Sequence, residues 1–353
     1  MKRFWSERIR TLVPYTPGEQ PKDRVFIKLN TNENPYPPSE KVLQAIRDAA
    51  GEGLRLYPDP EAVSLRRAIA EYHGLQPEQV FCGNGSDEVL GLCFYAFFTP
   101  GKKVLFPDIT YSFYPVYTQL FGLDHEEIPL NDDFTLPVDR FLGGNGGVVI
   151  CNPNAPTGRT LPLSDIRRIL NANPDVVVLV DEAYADFGAQ SAVELISEYS
   201  NLVVVCTMSK SRSLAGMRVG YALGNADLIA GVNCVKNSFN SYPLDRLALA
   251  AGEAAIRDRE YFELTRNMVI KTRERTAARL RDMGFTVHPS NANFIFITHP
   301  QVSGKLLQQG LRDRGVLVRR FDRPRISEYL RVSIGTDADM EAMCAACEEI
   351  LKG

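Results

Sequence analysis

Short, fully apolar runs alternate with amphipathic helical stretches through the middle of this chain, and that alternation restricts the fold more than any other feature. "QVFCGNGSDEVLGLCFYAFF" reads as strand, turn and helix; "KKVLFPD" and "GGVVICNPNAP" read as strands, "LSDIRRILNAN" as a helix, and "VVVLVDEAY" and "NLVVVCTMSK" as strands again. Strands that are apolar on both faces belong to a mostly parallel sheet sandwiched by helices, so the expected class is α/β. In such sheets ligands bind where the strands end.

From Tyr242 to Gly284 runs a long helical pattern rich in Ala, Leu, Arg and Glu, read as one or two helices leaving the sheet. Beyond it, "FTVHPSNANFIFITHP", "GKLLQQGLRDRG", "VLVRRF", "YLRVSIGT" and a closing helix make a compact α+β unit. The chain has 353 residues, 44% of them hydrophobic, enough for a large core and a smaller one. The expected division is a large domain at 31–270 and a small domain at 271–353, with an N-terminal arm, 1–30, packing against the latter.

The net charge of −3 comes with no basic block, which argues against nucleic acid or an anionic membrane surface as partners. The N-terminal "MKRFWSERIRTLVPYTPG" is charged too often to hold the apolar core of a signal peptide, and no later run reaches the length of a membrane span; a cytoplasmic location is expected. Seven cysteines, including Cys82, Cys151 and Cys206 in apolar runs, read as reduced thiols. Cys344 and Cys347 form a lone C-x-x-C in a helix-like tail with no histidine nearby. They read as helix-face residues, and no metal site is expected.

The strand ends carry the polar residues. Asp181 closes an apolar strand, where a carboxylate costs free energy unless a cation meets it; a helix cap or an arginine partner is the plain alternative. Tyr184 follows three residues later. Lys210 lies just past the next strand, where burial would destabilise its ammonium and leave a nucleophilic amine of the kind a Schiff base requires. Ser209 and Arg218 beside it offer a hydroxyl and a guanidinium suited to a phosphate. Gly85 and Ser86 in "CGNGSDE" open a helix whose N-terminal N–H groups can hold an anion, or simply connect strand to helix. Tyr111 in "PDITYSFY" either stacks on a planar ring or packs in the core.

Taken in order, "LNTNENPYPP", "YPDP", "GNGSDE", "TYSFY", "NPNAPTG", "DEAYADF", "SKSRSLAGMRVGY" and "YLRVSIGT" resemble the motifs of the pyridoxal-phosphate enzymes of the aspartate aminotransferase fold, across nearly the whole chain. The histidinol-phosphate aminotransferase branch is the most similar. The resemblance implies pyridoxal 5′-phosphate held covalently by Lys210, which then moves the proton of the substrate's α-carbon. It implies Asp181 facing the ring nitrogen, Tyr184 on the ring oxygen and Tyr111 stacked on the ring. The cofactor phosphate would fall to Gly85, Ser86, Ser209 and Arg218, with Tyr57 of "YPDP" reaching it from the neighbouring subunit of a homodimer. Arg331 would bind the substrate's carboxylate or phosphate, joined by Arg319, Tyr15 and Asn32; Arg320, adjacent to Arg319, leaves the register there open.

The implied substrates are small molecules, an amino donor and a 2-oxo acid: L-histidinol phosphate and 2-oxoglutarate. An aromatic amino-acid aminotransferase and a threonine-phosphate decarboxylase of the same fold are the alternatives. A non-catalytic scaffold protein is disfavoured because Lys210 is present, and a dinucleotide oxidoreductase because "GNGSDE" lacks the G-x-G-x-x-G spacing.

One motif departs from the family. The loop "CNPNAPTGR" has Ala155 where the family carries an asparagine that donates to the ring oxygen, and an alanine side chain cannot. Either a displaced loop brings Asn154 to the cofactor, the reading adopted for the site, or Tyr184 holds the ring oxygen with help from water; a one-residue shift in extended chain turns a side chain to the opposite side.

Overall fold

The computed structural model describes residues 3–21 and 24–352. A seven-stranded sheet runs in the order Val80–Asn84, Val219–Gly224, Leu202–Thr207, Val178–Asp181, Gly147–Cys151, Val104–Pro107 and His125–Ile128. The strands from Leu202–Thr207 to His125–Ile128 are all parallel; Val219–Gly224 is antiparallel to both of its neighbours. The central strands are buried along their whole length, as their apolar runs require, and helices cover both faces.

Two strands of this sheet lie outside the sequence expectation. His125–Ile128 is the sheet's edge, half wet, and its "HEEI" has no apolar run to betray it. Val219–Gly224 follows the Lys210 loop and folds back beside Leu202–Thr207, so the strand after the lysine returns under the glycine turn at 85.

The smaller sheet has the order Ile27–Leu29, Val316–Arg320, Leu330–Ser333, Phe294–Thr298 and Thr286–Val287. Its first strand comes from the N-terminal part of the chain and pairs in parallel with Val316–Val318, which hands the next residues, 30–33, to the space between the sheets. The long helical pattern resolves into two helices, Arg246–Arg257 and Arg259–Asp282, broken at Asp258. The second helix runs through position 270 and packs Val269, Ala277 and Leu280 into the core of the smaller sheet. Cys344 and Cys347 sit in that same core. Among the described residues, no helix is long and apolar enough to cross a membrane.

Gly220 shows how closely the strands meet the turn above them: a Cβ there would lie 2.4 Å from Gly85 C and Ser86 N. Both obstacles are backbone and cannot swing aside. Gly220→Ala is therefore expected to destabilise the protein by about 1–3 kcal/mol, the usual cost of overpacking, read as a lower urea midpoint; an unchanged midpoint would show the turn to be free to move.

Candidate active site

The carboxyl ends of the parallel strands open on one cleft of about 460 Å³ that also reaches the smaller sheet. Lys210 and Asp181 face it from the strand ends, Ser86 from the start of the helix Gly85–Phe97, and Arg331 and Arg319 from the smaller sheet. Tyr15, Asn32, Tyr111, Tyr184, Ser209 and Arg218 complete the set that the sequence singled out and the fold brings together.

Asp181 is nearly sealed from water, at 3% exposure, and sits level with Cys151 and Val205 in the sheet. Tyr114 Oη donates to its Oδ2 at 2.8 Å and the Ala183 N–H to its Oδ1 at 3.2 Å. Burial outweighs these donors and pushes its carboxyl up to about 6. Its partners are a phenol and an amide, neither a cation, so a ring nitrogen able to carry a proton suits it. The sequence reading missed Tyr114. A tyrosine in so apolar a segment must find a partner for its hydroxyl, but sequence does not name the partner.

Lys210 Nζ donates to the Thr31 carbonyl at 3.0 Å. Burial first, then the charges of Arg331 and Arg218, lower its ammonium to about 8, against the opposing pull of Glu33 and Asp87. An amine so placed is far more often free to attack a carbonyl, or to take a proton, than a solvated lysine.

An anion cradle lies beside it. Gly85 has φ +78°, a conformation natural to glycine, and a Cβ there would come within 2.4 Å of Arg218 Nη2. Arg218 makes long contacts, 3.5 Å to Ser209 Oγ and the Ala215 carbonyl and 3.3 Å to Asp87 Oδ2, which leaves its fork available. Ser209 Oγ is oriented by Thr207 Oγ1 at 3.1 Å. Gly85 shapes this cradle without lining the cleft. Tyr111 does line it and donates to Asp87 Oδ1 at 2.7 Å. A bare glycine turn, a half-engaged arginine, a buried amine and a buried carboxylate fit a phosphorylated pyridine aldehyde.

The far wall is cationic as well. Arg331 is clamped by one bond, Nη2 to the Asn30 carbonyl at 2.9 Å, and its guanidinium lies over the rings of Phe294 and Phe321. Its buried Nε has no hydrogen-bond partner among the described residues, a donor left for a ligand. Arg319 leans on the Thr16 and Pro17 carbonyls, and Tyr15 stacks on Phe113 with ring centroids 4.6 Å apart.

Two expected residues stand elsewhere. Tyr57 is 79% exposed and stacks on Tyr242, away from the cleft of its own chain. Asn154 corrects the loop reading. Its Nδ2 donates to the Ile109 carbonyl and Thr157 Oγ1, and its Oδ1 accepts from Thr110 Oγ1, so the amide ties its loop to the neighbouring one after Val104–Pro107, and Asn154 does not line the cleft. The phenol of Tyr184 instead accepts from Asn32 Nδ2 at 3.0 Å, so Asn32, expected on the substrate, is tied to a tyrosine. Burial raises Tyr184 to about 12, which keeps its proton in place at neutral pH.

A model of the aminotransferase class I and II family matches residues 24–347. A histidinol-phosphate aminotransferase of Clostridium acetobutylicum is 55% identical over 351 residues, covering 99% of this chain and 100% of its own. Another, from Marinomonas sp. strain MWYL1, is 55% identical over 353 residues, with 99% and 100% covered. The crystal structure of histidinol-phosphate aminotransferase from Sinorhizobium meliloti in complex with pyridoxal-5′-phosphate superposes with a TM-score of 0.88 at 25% identity, covering 99% of this chain and 98% of that one. Matched by the family model over residues 24–347 and by the relatives over 99% of its length, the chain belongs to the class I and II aminotransferases and, among them, to the histidinol-phosphate aminotransferases.

Proposed function

We propose that the cleft transfers the amino group of L-histidinol phosphate to 2-oxoglutarate, yielding imidazole-acetol phosphate and L-glutamate in histidine biosynthesis. The observation that carries this is the meeting of a buried, lowered Lys210 amine with two arginines, Arg331 and Arg319, on the facing wall. A guanidinium fork accepts a phosphate or a carboxylate equally well. One wall can therefore hold the phosphorylated donor in one half-reaction and the dicarboxylic partner in the other.

When bound, pyridoxal 5′-phosphate supplies an aldehyde for the amine and a protonated ring that draws electrons from the α-carbon. Lys210 Nζ would hold the cofactor's aldehyde carbon and, as a free amine, would move the proton to and from the substrate's α-carbon. Asp181, supported by Tyr114, keeps the proton on the ring nitrogen. Ser86, Ser209 and Arg218, at the turn that Gly85 shapes, would hold the phosphate, Tyr111 would flank the ring, and Tyr184 would offer its hydroxyl to the ring oxygen. Arg331, Arg319 and Tyr15 grip the substrate's anionic end and orient its α-carbon toward Lys210.

Tyr57 serves the partner's site in a homodimer. With Leu54, Leu56 and Tyr242 it forms an exposed apolar patch, more than a lone surface side chain. The compartment is the cytoplasm, where its free cysteines stay reduced.

Three outcomes are expected. Borohydride treatment followed by peptide mapping places a pyridoxyl group on Lys210, and a panel of donors gives histidinol phosphate a kcat/KM on the order of 10²-fold above phenylalanine; faster turnover of phenylalanine refutes the substrate assignment. Sedimentation gives a two-chain species, and Tyr57→Phe weakens cofactor retention by roughly ten-fold; a monomer that keeps full affinity contradicts the shared site. The third concerns pH. Asp181 has its carboxyl raised from 3.8 to about 6 in the fold. Its contribution to the stability of cofactor-free protein is present below about pH 4 and lost as pH rises through 6. Urea midpoints of that protein should then fall relative to Asp181→Asn between pH 4 and 7, and cofactor should remove the difference. Parallel curves for the two proteins would mean that Asp181 is not strained by burial.

A further inference from the structure

The contact between Asn32 and Tyr184 joins residues 152 apart in sequence, and its direction is determined by what surrounds it. Asn32 is 1% exposed. Ser333 Oγ accepts the Asn32 backbone N–H at 2.8 Å, which leaves its single proton for Asn32 Oδ1, also at 2.8 Å. The carbonyl end of the amide thus faces Ser333, and the NH₂ end must face Tyr184. Asn293 Nδ2 donates to the Asn32 carbonyl at 2.9 Å and closes the clamp. A phenol oxygen that accepts from this amide keeps its own proton for another acceptor. The neighbouring loop adds nothing polar there, because Ala155 packs in the apolar cluster that holds the Tyr184 ring.

We propose that Asn32 is the positioning residue that aims the Tyr184 hydroxyl at the cofactor's ring oxygen, a donor relay running from the smaller sheet through Ser333, Asn32 and Tyr184 in place of a direct donor at position 155. This rests on the reading that Tyr184 meets the ring oxygen. Asn32 acts on Tyr184 and not on the substrate, contrary to the role the motif implies. By donating to the phenol oxygen it makes Tyr184 the stronger donor. A strong donor withdraws negative charge from the ring oxygen, which disfavours protonation of the Lys210 nitrogen beside it.

The readout is the pH midpoint of the holoenzyme's visible absorbance. Asn32→Gly is the sharpest variant, since glycine accepts the φ of +56° at this position and the backbone N–H to Ser333 survives. Its midpoint is expected to rise by roughly half a unit to one unit, the worth of one modest hydrogen bond. Tyr184→Phe should raise it at least as far, and Asn32→Gly should add nothing in the Tyr184→Phe background. Arg331, Asp181 and Cys151, the other groups whose charge bears on Tyr184, stay in place throughout. Asn32→Asp, of the same shape but drawing the phenol's proton toward itself, should also raise the midpoint, and it serves if the glycine variant folds poorly. The relay is overturned if Asn32→Gly and Asn32→Asp leave the midpoint unmoved while Tyr184→Phe raises it, or if Asn32→Gly raises it equally without the Tyr184 hydroxyl. A midpoint that Tyr184→Phe fails to move overturns the assignment of Tyr184 itself, and the relay with it.

Discussion

A carboxylate at the end of a buried parallel strand sets the terms for the rest of this structure. Asp181 is held by ladder partners on both sides, so it cannot swing out to water. Its two donors do not repay the lost hydration, and its carboxyl moves toward the neutral form. Lys210, buried nearby, moves toward neutrality from the other direction. Neither group pairs with the other to cancel this cost, as a structural ion pair would. A pair of ionisable groups pushed inward in opposite senses is an acid–base site awaiting a third party, and a ring with a basic nitrogen at one end and an aldehyde near the other spans it.

The second sheet matters because it brings its own charges to the same place. A strand from the chain's beginning, Ile27–Leu29, is zipped in parallel onto Val316–Val318. The residues that follow it therefore cross from one sheet to the other: the Thr31 carbonyl accepts from Lys210 and the Asn30 carbonyl from Arg331. Lysine and guanidinium are thus anchored to neighbouring carbonyls of one short segment. A shift of the smaller sheet moves both, so the Arg331 guanidinium and the Lys210 amine are mechanically linked.

Much of this was legible in sequence for a simple reason. Parallel strands buried on both faces must be continuous apolar runs, and any polar residue ending such a run stands out, as Asp181 and Lys210 do. Edge strands carry no such obligation, which is why His125–Ile128 passed unnoticed. Tyr114 was hidden among Tyr111, Phe113 and Tyr117, because composition does not say which hydroxyl in an aromatic cluster reaches a carboxylate. Contacts between distant segments were least accessible of all. The strand-period argument that a one-residue shift reverses a side chain described Asn154 well, yet nothing local pointed to Asn32 as the amide that meets Tyr184.

The substitution at 155 is understandable from both sides of the Tyr184 ring. An asparagine there would be nearly as buried as Ala155, at 3% exposure, within a cluster that includes Phe294 and Ala292. Unless its amide found partners, it would cost about 1–3 kcal/mol in unmet hydrogen bonds. Alanine carries no such risk and packs against the ring. The polar work then falls to Asn32, each of whose polar atoms has a partner in Ser333, Asn293 or Tyr184. A satisfied amide held by the smaller sheet is a better fixed donor than one on a loop, because its direction is set by three partners and not by the loop's own conformation.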